Sequence, residues 1–181
     1  GDIGHIQLIT DGAKLCRCGK LVCVEAHAAV WAIARDLREL GHDTHTAADV
    51  LEVVKANVPE AIQLLRQSGR VIGEVVANLV SILNPDKIII GGVLAASSDH
   101  ILSGIKEIVY QRCLPLATRY LSISTVQHRP QAGVLGAAIL VRDWAFEAGN
   151  TKSTVHLLFE RLHPRARRKN VLSTANPVSA A

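Results

Sequence analysis

The chain has 181 residues, 49% of them apolar and 20% charged, so it can bury the core of one domain without disulfides or other covalent staples. Its six aromatic residues argue against an aromatic platform for single-stranded nucleic acid or sugar. Residues 1–150 carry 14 basic and 15 acidic side chains, whereas residues 151–181 carry six basic and one acidic, so the net charge of +4 lies in the tail. The body is therefore not a basic DNA-binding surface. The tail is read either as a solvated, disordered end or as a segment that contacts nucleic acid or membrane.

The pattern of apolar and turn-forming residues predicts alternating helices and strands. The first half predicts a short strand at 6–9, a cysteine-bearing loop at 11–23, a helix from Val24 to Leu40 ended by Gly41, a helix at 47–57 begun by Thr46, and a long helix from Pro59 to Leu83. The second half predicts a strand at 88–90 buried on both faces, a helix at 99–113 capped by Ser97 or Ser98, a strand at 121–126 and a last helix from Pro130 to Glu147. This order indicates an α/β layered fold.

Two sequence features bear on where the protein resides. No apolar run reaches the ~18 residues needed to span a bilayer, and the N-terminus lacks the basic-then-apolar pattern of a signal peptide. We therefore expect a cytoplasmic protein without a membrane partner, whose thiols stay reduced.

Three cysteines form a C-x-C-x4-C pattern at Cys16, Cys18 and Cys23, and His5 precedes the first by eleven residues. Three thiolates and one imidazole complete a tetrahedral zinc site, and four protein ligands would make the metal structural rather than catalytic. A redox pair and three ordinary buried thiols are the alternatives. Cys113 lies far away in the sequence and is read as a small apolar filler.

Two carboxylates flank the cysteine loop. Asp2 lies three residues before His5, and Glu25 lies two residues after Cys23. If a metal gathers this loop, both carboxylates approach the imidazole, where their oxygens can accept hydrogen bonds from vicinal hydroxyls. In the alternative reading, Asp2 is a turn residue and Glu25 a helix-start charge.

Several segments together resemble the signature of the ROK family (repressor, open reading frame, kinase), which pairs G-E-x-G-H with C-x-C-G-x-x-G-C-x-E. They are Gly1-Asp2-Ile3-Gly4-His5, Cys16-Arg17-Cys18-Gly19, Cys23-Val24-Glu25, Asn84-Pro85-Asp86 with Ile88 to Gly92, and Ala132 to Ala138. The resemblance implies the C-terminal lobe of an actin-like ATPase (ribonuclease H-like) fold. We expect this lobe at 1–148, with a zinc loop at 5–25, and a basic, disordered tail at 149–181.

The resemblance also implies roles for individual residues. His5 matches a histidine that binds zinc through one ring nitrogen and the sugar through the other, and Cys16, Cys18 and Cys23 match the other zinc ligands. Asp2 and Glu25 match sugar-binding carboxylates. Gly91 and Gly92 match the turn beside the nucleotide in kinase members, where backbone N–H groups face the phosphates.

The sequence departs from the family pattern at three positions. Asp2 stands where glutamate is commoner, Val22 replaces the glycine before the last cysteine, and a triple glycine is reduced to Gly91-Gly92-Val93. If position 22 needs a positive φ, its β-branched side chain is strained there by roughly 1–3 kcal/mol. We therefore expect a distorted zinc loop.

The stretch from Ile105 to Arg119 is more similar to regulator members, of the actinobacterial type, than to glucokinases. The resemblance thus predicts the sugar-sensing lobe of a ROK transcriptional regulator, which binds a hexose or amino sugar and contacts DNA through an N-terminal domain outside this sequence. The alternatives are the C-terminal half of an ATP-dependent sugar kinase, which would also use ATP and Mg²⁺, and a degenerate fragment without activity. The catalytic aspartate of such kinases would lie upstream of Gly1, so we expect no sugar phosphorylation by this chain alone. We also expect homo-oligomers.

Overall fold

The structure is a computed structural model that describes residues 2–8, 12–94, 99–126, 132–147, 150 and 157. The chain divides into two units, residues 1–128 and residues 129–181. The described part of the second unit is mainly one helix. The predicted boundary at residue 148 and the predicted character of the tail remain predictions, because residues 149–181 lie outside the described residues except for Asn150 and Leu157.

The first unit begins with a single 3₁₀ turn at Ile3–His5. Its helices and strands, in chain order, are α1 (Val24–Ala28), α2 (Val30–Glu39), α3 (Ala47–Lys55), α4 (Pro59–Leu83), β1 (Lys87–Ile90), α5 (Asp99–Arg112), α6 (Pro115–Thr118) and β2 (Ser122–Thr125). The second unit contributes α7 (Ala132–Phe146). The two strands pair in parallel, with Ile88 opposite Ile123. The mixed α/β fold expected from the sequence is confirmed, and none of the described helices is long and apolar enough to cross a membrane.

Local signals in the sequence place several helix ends correctly. Thr46 caps α3 through a hydrogen bond that its Oγ1 accepts from the backbone N–H of Asp49, and the Asp49 carboxylate accepts in return from the backbone N–H of Thr46. The backbone N–H groups of His45 and Thr46 both donate to this carboxylate and lower the pKa of Asp49. α4 begins at Pro59 and ends at Leu83 as predicted, and Asn84 follows it in the left-handed region with a φ of 44°.

Two strand predictions are wrong in part. Of the strand expected at 6–9, the described residues form only an isolated bridge between Gln7 and Cys23, and Ile9 lies outside them. β1 is not buried on both faces, because the side chain of Ile89 is 56% exposed and Ile88 is half-buried. Serines 97 and 98 and Pro130, which were expected to begin helices, also lie outside the described residues.

The helix predicted from Val24 to Leu40 is interrupted at Ala29, which has extended backbone angles of φ −72° and ψ 155°. The interruption separates the short α1 from α2. The predicted end is correct, because the backbone N–H of Gly41 donates to the carbonyl of Arg38 and that of His42 to the carbonyl of Leu37.

α4 and α5 pack closely at the centre of the first unit. A Cβ atom placed on Gly69 of α4 would lie 2.2 Å from the carbonyl oxygen of Ile101, and one placed on Gly104 of α5 would lie 2.3 Å from that of Arg66. Glycines at both positions therefore allow the two backbones to touch. The ion pairs of Glu107 with Arg70 and with Arg66 span the same two helices, and they lower the pKa of Glu107.

The described residues form a main apolar core and two smaller apolar clusters, the first of which joins Val24 of α1 to Val71 and Val75 of α4. The main core includes fully buried side chains from α2 to α5, among them Leu37, Leu65, Val80 and Ile105. Cys113 belongs to this core, as expected for a small apolar filler, and its Sγ lies 3.5 Å from the carbonyl oxygen of Ala77. The second small cluster consists of Cys16, Cys23 and Ala26, with Trp31 packed against them. Its members come from the cysteine loop, α1 and α2.

Candidate functional site

The cysteine loop is held in a tight hairpin by backbone hydrogen bonds. The N–H of Cys16 donates to the carbonyl of Lys20 at 2.8 Å, and the N–H of Gly19 donates back to the carbonyl of Cys16 at 2.9 Å. Further from the tip of the hairpin, the N–H of Val22 donates to the carbonyl of Lys14 at 3.1 Å. This geometry turns the side chains of the C-x-C-x4-C segment toward one point.

The structure brings His5, Cys16, Cys18 and Cys23 together, and one ligand atom from each lies within 4.8 Å of the others. The sulfurs of Cys18 and Cys23 are 3.7 Å apart, as are Nδ1 of His5 and the sulfur of Cys16. Tetrahedral zinc with ordinary bond lengths separates two sulfurs, or a sulfur and a nitrogen, by about 3.6–3.8 Å. The donor set and its spacing therefore fit a metal ion such as zinc. The role of these four residues as ligands remains a prediction.

The protonation of the thiols depends on their surroundings. The backbone N–H of Lys20 donates to the sulfur of Cys18 and lowers the pKa of that exposed thiol. Burial raises the pKa of Cys23 to about 11, and the neighbouring thiols add to this effect. Because metal ions bind thiolates, an ion that occupies this site displaces the proton of Cys23, and the affinity for metal increases with pH.

Two carboxylates lie on opposite sides of the His5 ring. Oε2 of Glu25 is 3.4 Å from Nδ1 of His5, and Oδ2 of Asp2 is 3.7 Å from Nε2. The other oxygen of Asp2 accepts from the backbone N–H of Gly4 and caps the 3₁₀ turn. Glu25 lies in the first turn of α1. Asp2 is therefore a turn residue and Glu25 a charge at the start of a helix, as in the alternative interpretation. Each carboxylate also directs one oxygen toward the imidazole of His5.

Gly91 and Gly92 lie directly after β1, and Gly92 has a φ of 115°. A cavity of about 430 Å³ reaches from Gly91 along β1 and α4 to Gly4 and Glu25. The other residues that line this cavity are aliphatic. The structure thus places Gly91 and Glu25 on the wall of one cavity. The residues that follow Leu94 lie outside the described residues up to residue 98. A nucleotide role for the glycines remains a prediction.

Sequence reasoning missed the side chains that fasten this site to α2. Trp31 donates its indole N–H to Oε1 of Glu25 at 2.9 Å. Lys14 of the cysteine loop pairs with the buried carboxylate of Asp36 at 2.6 Å, and Arg35 pairs with the other oxygen of Asp36. Trp31 and Asp36 were expected only as parts of a helix. The ion pair across 22 residues has no local pattern that would reveal it.

Val22 has a φ of 56°, which is the positive value at which its β-branched side chain is expected to be strained. We expect Val22→Gly to strengthen zinc binding about 5-fold, because relief of the strain outweighs the greater freedom of glycine in the open loop by about 1 kcal/mol. Competition with a chromophoric chelator measures the affinity. Val22→Ala is the matched control, since it keeps a Cβ atom and most of the strain. Equal affinities of the glycine variant and the wild type would contradict strain at this position.

The fold and site define a class of mixed α/β proteins with a Cys₃His cluster that could hold a metal ion and with two carboxylates beside the histidine. Comparison of the sequence with protein families narrows this class. Residues 1–144 match the ROK family, and this chain belongs to that family.

Relatives of the chain include both enzymes and regulators. Glucokinase of Halalkalibacterium halodurans is 32% identical over an alignment of 166 residues, gaps included, that covers 83% of this chain and 50% of the enzyme. A crystal structure of a ROK family transcriptional regulator, a homologue of the E. coli Mlc protein, superposes with a TM-score of 0.63 at 28% identity over 76% of this chain and 37% of the regulator. A ROK glucokinase from Streptomyces griseus, in complex with glucose and AMPPNP, superposes with a TM-score of 0.56 at 27% identity over 76% of this chain and 50% of the enzyme. The chain thus spans half or less of the length of these relatives.

Proposed function

We propose that this chain is the sugar-binding segment of a ROK transcriptional regulator and that it senses a hexose or an amino sugar. The observation that carries the proposal is the convergence of Asp2 and Glu25 on opposite nitrogens of His5, beside the Cys₃His cluster. Carboxylate oxygens in this arrangement accept hydrogen bonds from neighbouring hydroxyls. The Streptomyces griseus relative was crystallised with glucose, which supports a sugar as the ligand.

In the proposed site, Nδ1 of His5 and the three cysteine sulfurs hold zinc, and the metal supplies a fixed orientation of the loop and of the imidazole. Coordination at Nδ1 leaves the proton on Nε2, which faces Asp2 and can donate to a sugar oxygen. The side chain of His5 is 39% exposed, so Nε2 is accessible to a ligand while Nδ1 faces the sulfur of Cys16.

Two observations favour a regulator over a kinase. At a position that is usually glutamate, Asp2 provides a carboxylate on a side chain about one methylene shorter. Gly91-Gly92-Val93 replaces the triple glycine of kinase members. The superposition with the regulator structure supports the same choice. In a regulator, sugar binding would shift the equilibrium between conformations and so change the affinity of a separate domain for DNA.

A sugar kinase is the second candidate, and the identity of 32% to a glucokinase favours it. In that case the cavity between Glu25 and Gly91 would connect the sugar to the nucleotide. Incubation of residues 1–181 with ATP, Mg²⁺ and glucose is expected to form no sugar phosphate, because phosphoryl transfer requires a positioned base and charge-neutralising groups around the phosphates. Formation of sugar phosphate would support the kinase and contradict the purely regulatory proposal.

Isothermal titration of the zinc-loaded chain with glucose and with N-acetylglucosamine tests sugar binding directly. We expect Glu25→Gln to weaken the binding of the preferred sugar by about 10-fold or more, since a hydrogen bond to a charged group is replaced by a neutral one. Glu52→Gln is the matched control, because Glu52 is exposed on α3. A zinc-loaded wild-type chain that binds neither sugar would contradict the proposal.

A further inference from the structure

Trp31 divides the two oxygens of the Glu25 carboxylate between two partners. The indole N–H donates to Oε1 at 2.9 Å, and Oε2 is left facing Nδ1 of His5 at 3.4 Å. A carboxylate that is held by one oxygen loses its freedom to rotate, so its second oxygen keeps a defined direction. The side chain of Glu25 is 29% exposed, which leaves it accessible to a ligand.

The ring of Trp31 also contacts the cysteine loop. The guanidinium of Arg17, between Cys16 and Cys18 in the sequence, lies 4.5 Å from the ring centroid, and that of Arg35 lies 5.3 Å from it. Trp31 packs against the apolar cluster of Cys16, Cys23 and Ala26. One side chain therefore touches the loop that carries the sulfur ligands and the carboxylate that faces His5.

The interruption at Ala29 makes the contact between Trp31 and Glu25 possible. In one continuous helix, residues six apart are rotated by about 120° from each other and rise by about 9 Å, so their side chains do not meet. The extended angles at Ala29 change the direction of the chain between α1 and α2. The indole nitrogen then comes within hydrogen-bonding distance of the carboxylate.

We propose that Trp31 is a positioning residue, which orients the carboxylate of Glu25 for a hydroxyl-bearing ligand and makes this orientation depend on the cysteine loop. The proposal rests on the proposed sugar-binding function of Glu25. It adds a second connection between the cysteine loop and the ligand. A change in the conformation of the loop alters ligand affinity through the indole ring of Trp31 as well as through His5.

The test compares Trp31→Phe with the wild-type chain, zinc-loaded, with glucose and N-acetylglucosamine as probes. Phenylalanine keeps an aromatic ring against Arg17 and removes the N–H donor. We expect the affinity for the preferred sugar to fall about 5- to 30-fold while the zinc content stays unchanged. In a Glu25→Ala background, the same substitution is expected to cause no further loss, because the indole then has no carboxylate to hold. Trp144→Phe, which changes the second tryptophan of the chain, is the matched control.

A second measurement keeps Trp31 in place. In a Trp144→Phe chain labelled with ¹⁵N, Trp31 gives the single indole N–H resonance. We expect Glu25→Ala to shift this resonance and to accelerate the exchange of its proton with water. Removal of zinc by a chelator is expected to shift it as well, because Arg17 and the sulfur ligands move with the loop.

The outcomes separate the two proposals. A wild-type chain that binds neither sugar contradicts the proposed function. An indole resonance that shifts neither in Glu25→Ala nor on removal of zinc contradicts the positioning role of Trp31. Sugar binding that is equal in the wild type and in Trp31→Phe overturns the positioning role and leaves the proposed function intact. A loss of zinc together with sugar affinity in Trp31→Phe also overturns it, because the residue would then serve only to build the loop.

Discussion

Gly69→Ala is expected to lower the free energy of unfolding by about 3 kcal/mol or more. The added methyl group would lie 2.2 Å from the carbonyl oxygen of Ile101 and 3.1 Å from Cα of Gly104. Both are backbone atoms of the facing helix, which cannot move aside as a side-chain end does. α4 and α5 must separate, and the buried side chains on both sides of the crossing then lose contacts. Urea unfolding followed by circular dichroism measures the change.

Gly133→Ala on α7 is the matched control for this substitution. A Cβ at Gly133 meets no described atom within 4 Å, and alanine has a higher helix propensity than glycine. We expect this variant to unfold at an equal or slightly higher urea concentration than the wild type. A Gly69→Ala chain as stable as the wild type would show that the two helices adjust their spacing without cost, contrary to the close packing described above.

Cys23→Ser is expected to abolish stoichiometric zinc binding. Cys23 is fully buried and its sulfur lies 3.7 Å from that of Cys18, so serine removes a central thiolate and offers a poorer ligand in its place. We expect zinc content after dialysis to fall from near one equivalent to near zero, with an affinity at least about 100-fold weaker. Metal analysis and chelator competition measure both quantities. The helix signal is expected to persist, because Cys23 lies outside the main core.

Cys113→Ser provides the control for the same chemical change. Cys113 is also buried, but it packs in the main core against α4 and contacts Ala77 and Ser81. This variant is expected to keep its zinc. Retention of one equivalent by Cys23→Ser, or its loss in Cys113→Ser, would contradict the assignment of the metal site to the C-x-C-x4-C loop and His5.

The sequence predicted best where the signal is local. The bounds of α4 follow from Pro59 at its start and from Asn84-Pro85 at its end, and the start of α3 follows from the capping pair of Thr46 and Asp49. These signals act within one turn of a helix, so they can be read without knowledge of the rest of the fold.

The interruption at Ala29 could not be predicted, because its cause is tertiary. The apolar spacing from Val24 to Leu37 suits one continuous helix, and alanine and valine at positions 29 and 30 do not act as helix breakers. The start of α1 is held instead by the N-terminal segment, through the hydrogen bond from the N–H of Val24 to the carbonyl of Ile6. Missing this interruption also meant missing the contact between Trp31 and Glu25.

The candidate site, like the fold, was predictable where the signal is local and was not predictable where it depends on tertiary contacts. The cysteine spacing and His5 were sufficient to predict that these four residues cluster as a set that could hold a metal ion, because the identities of the donors limit the possible chemistry. The sequence indicated a positive φ at Val22 only conditionally, because the family pattern has a glycine at that position. The ion pair of Lys14 with Asp36 depends on how the loop lies against α2, which no short-range pattern specifies.

The separation of the small cluster around Cys16 and Cys23 from the main core has a consequence for the dynamics of the molecule. Regions that share few buried contacts with the rest of a protein open independently of global unfolding. The cysteine loop is therefore expected to open as its own unit while α4 and α5 remain packed. Amide hydrogen exchange would then be faster in the loop than in α4. The release of a metal ion bound to the cluster would follow the rate of this local opening rather than the lifetime of the folded chain.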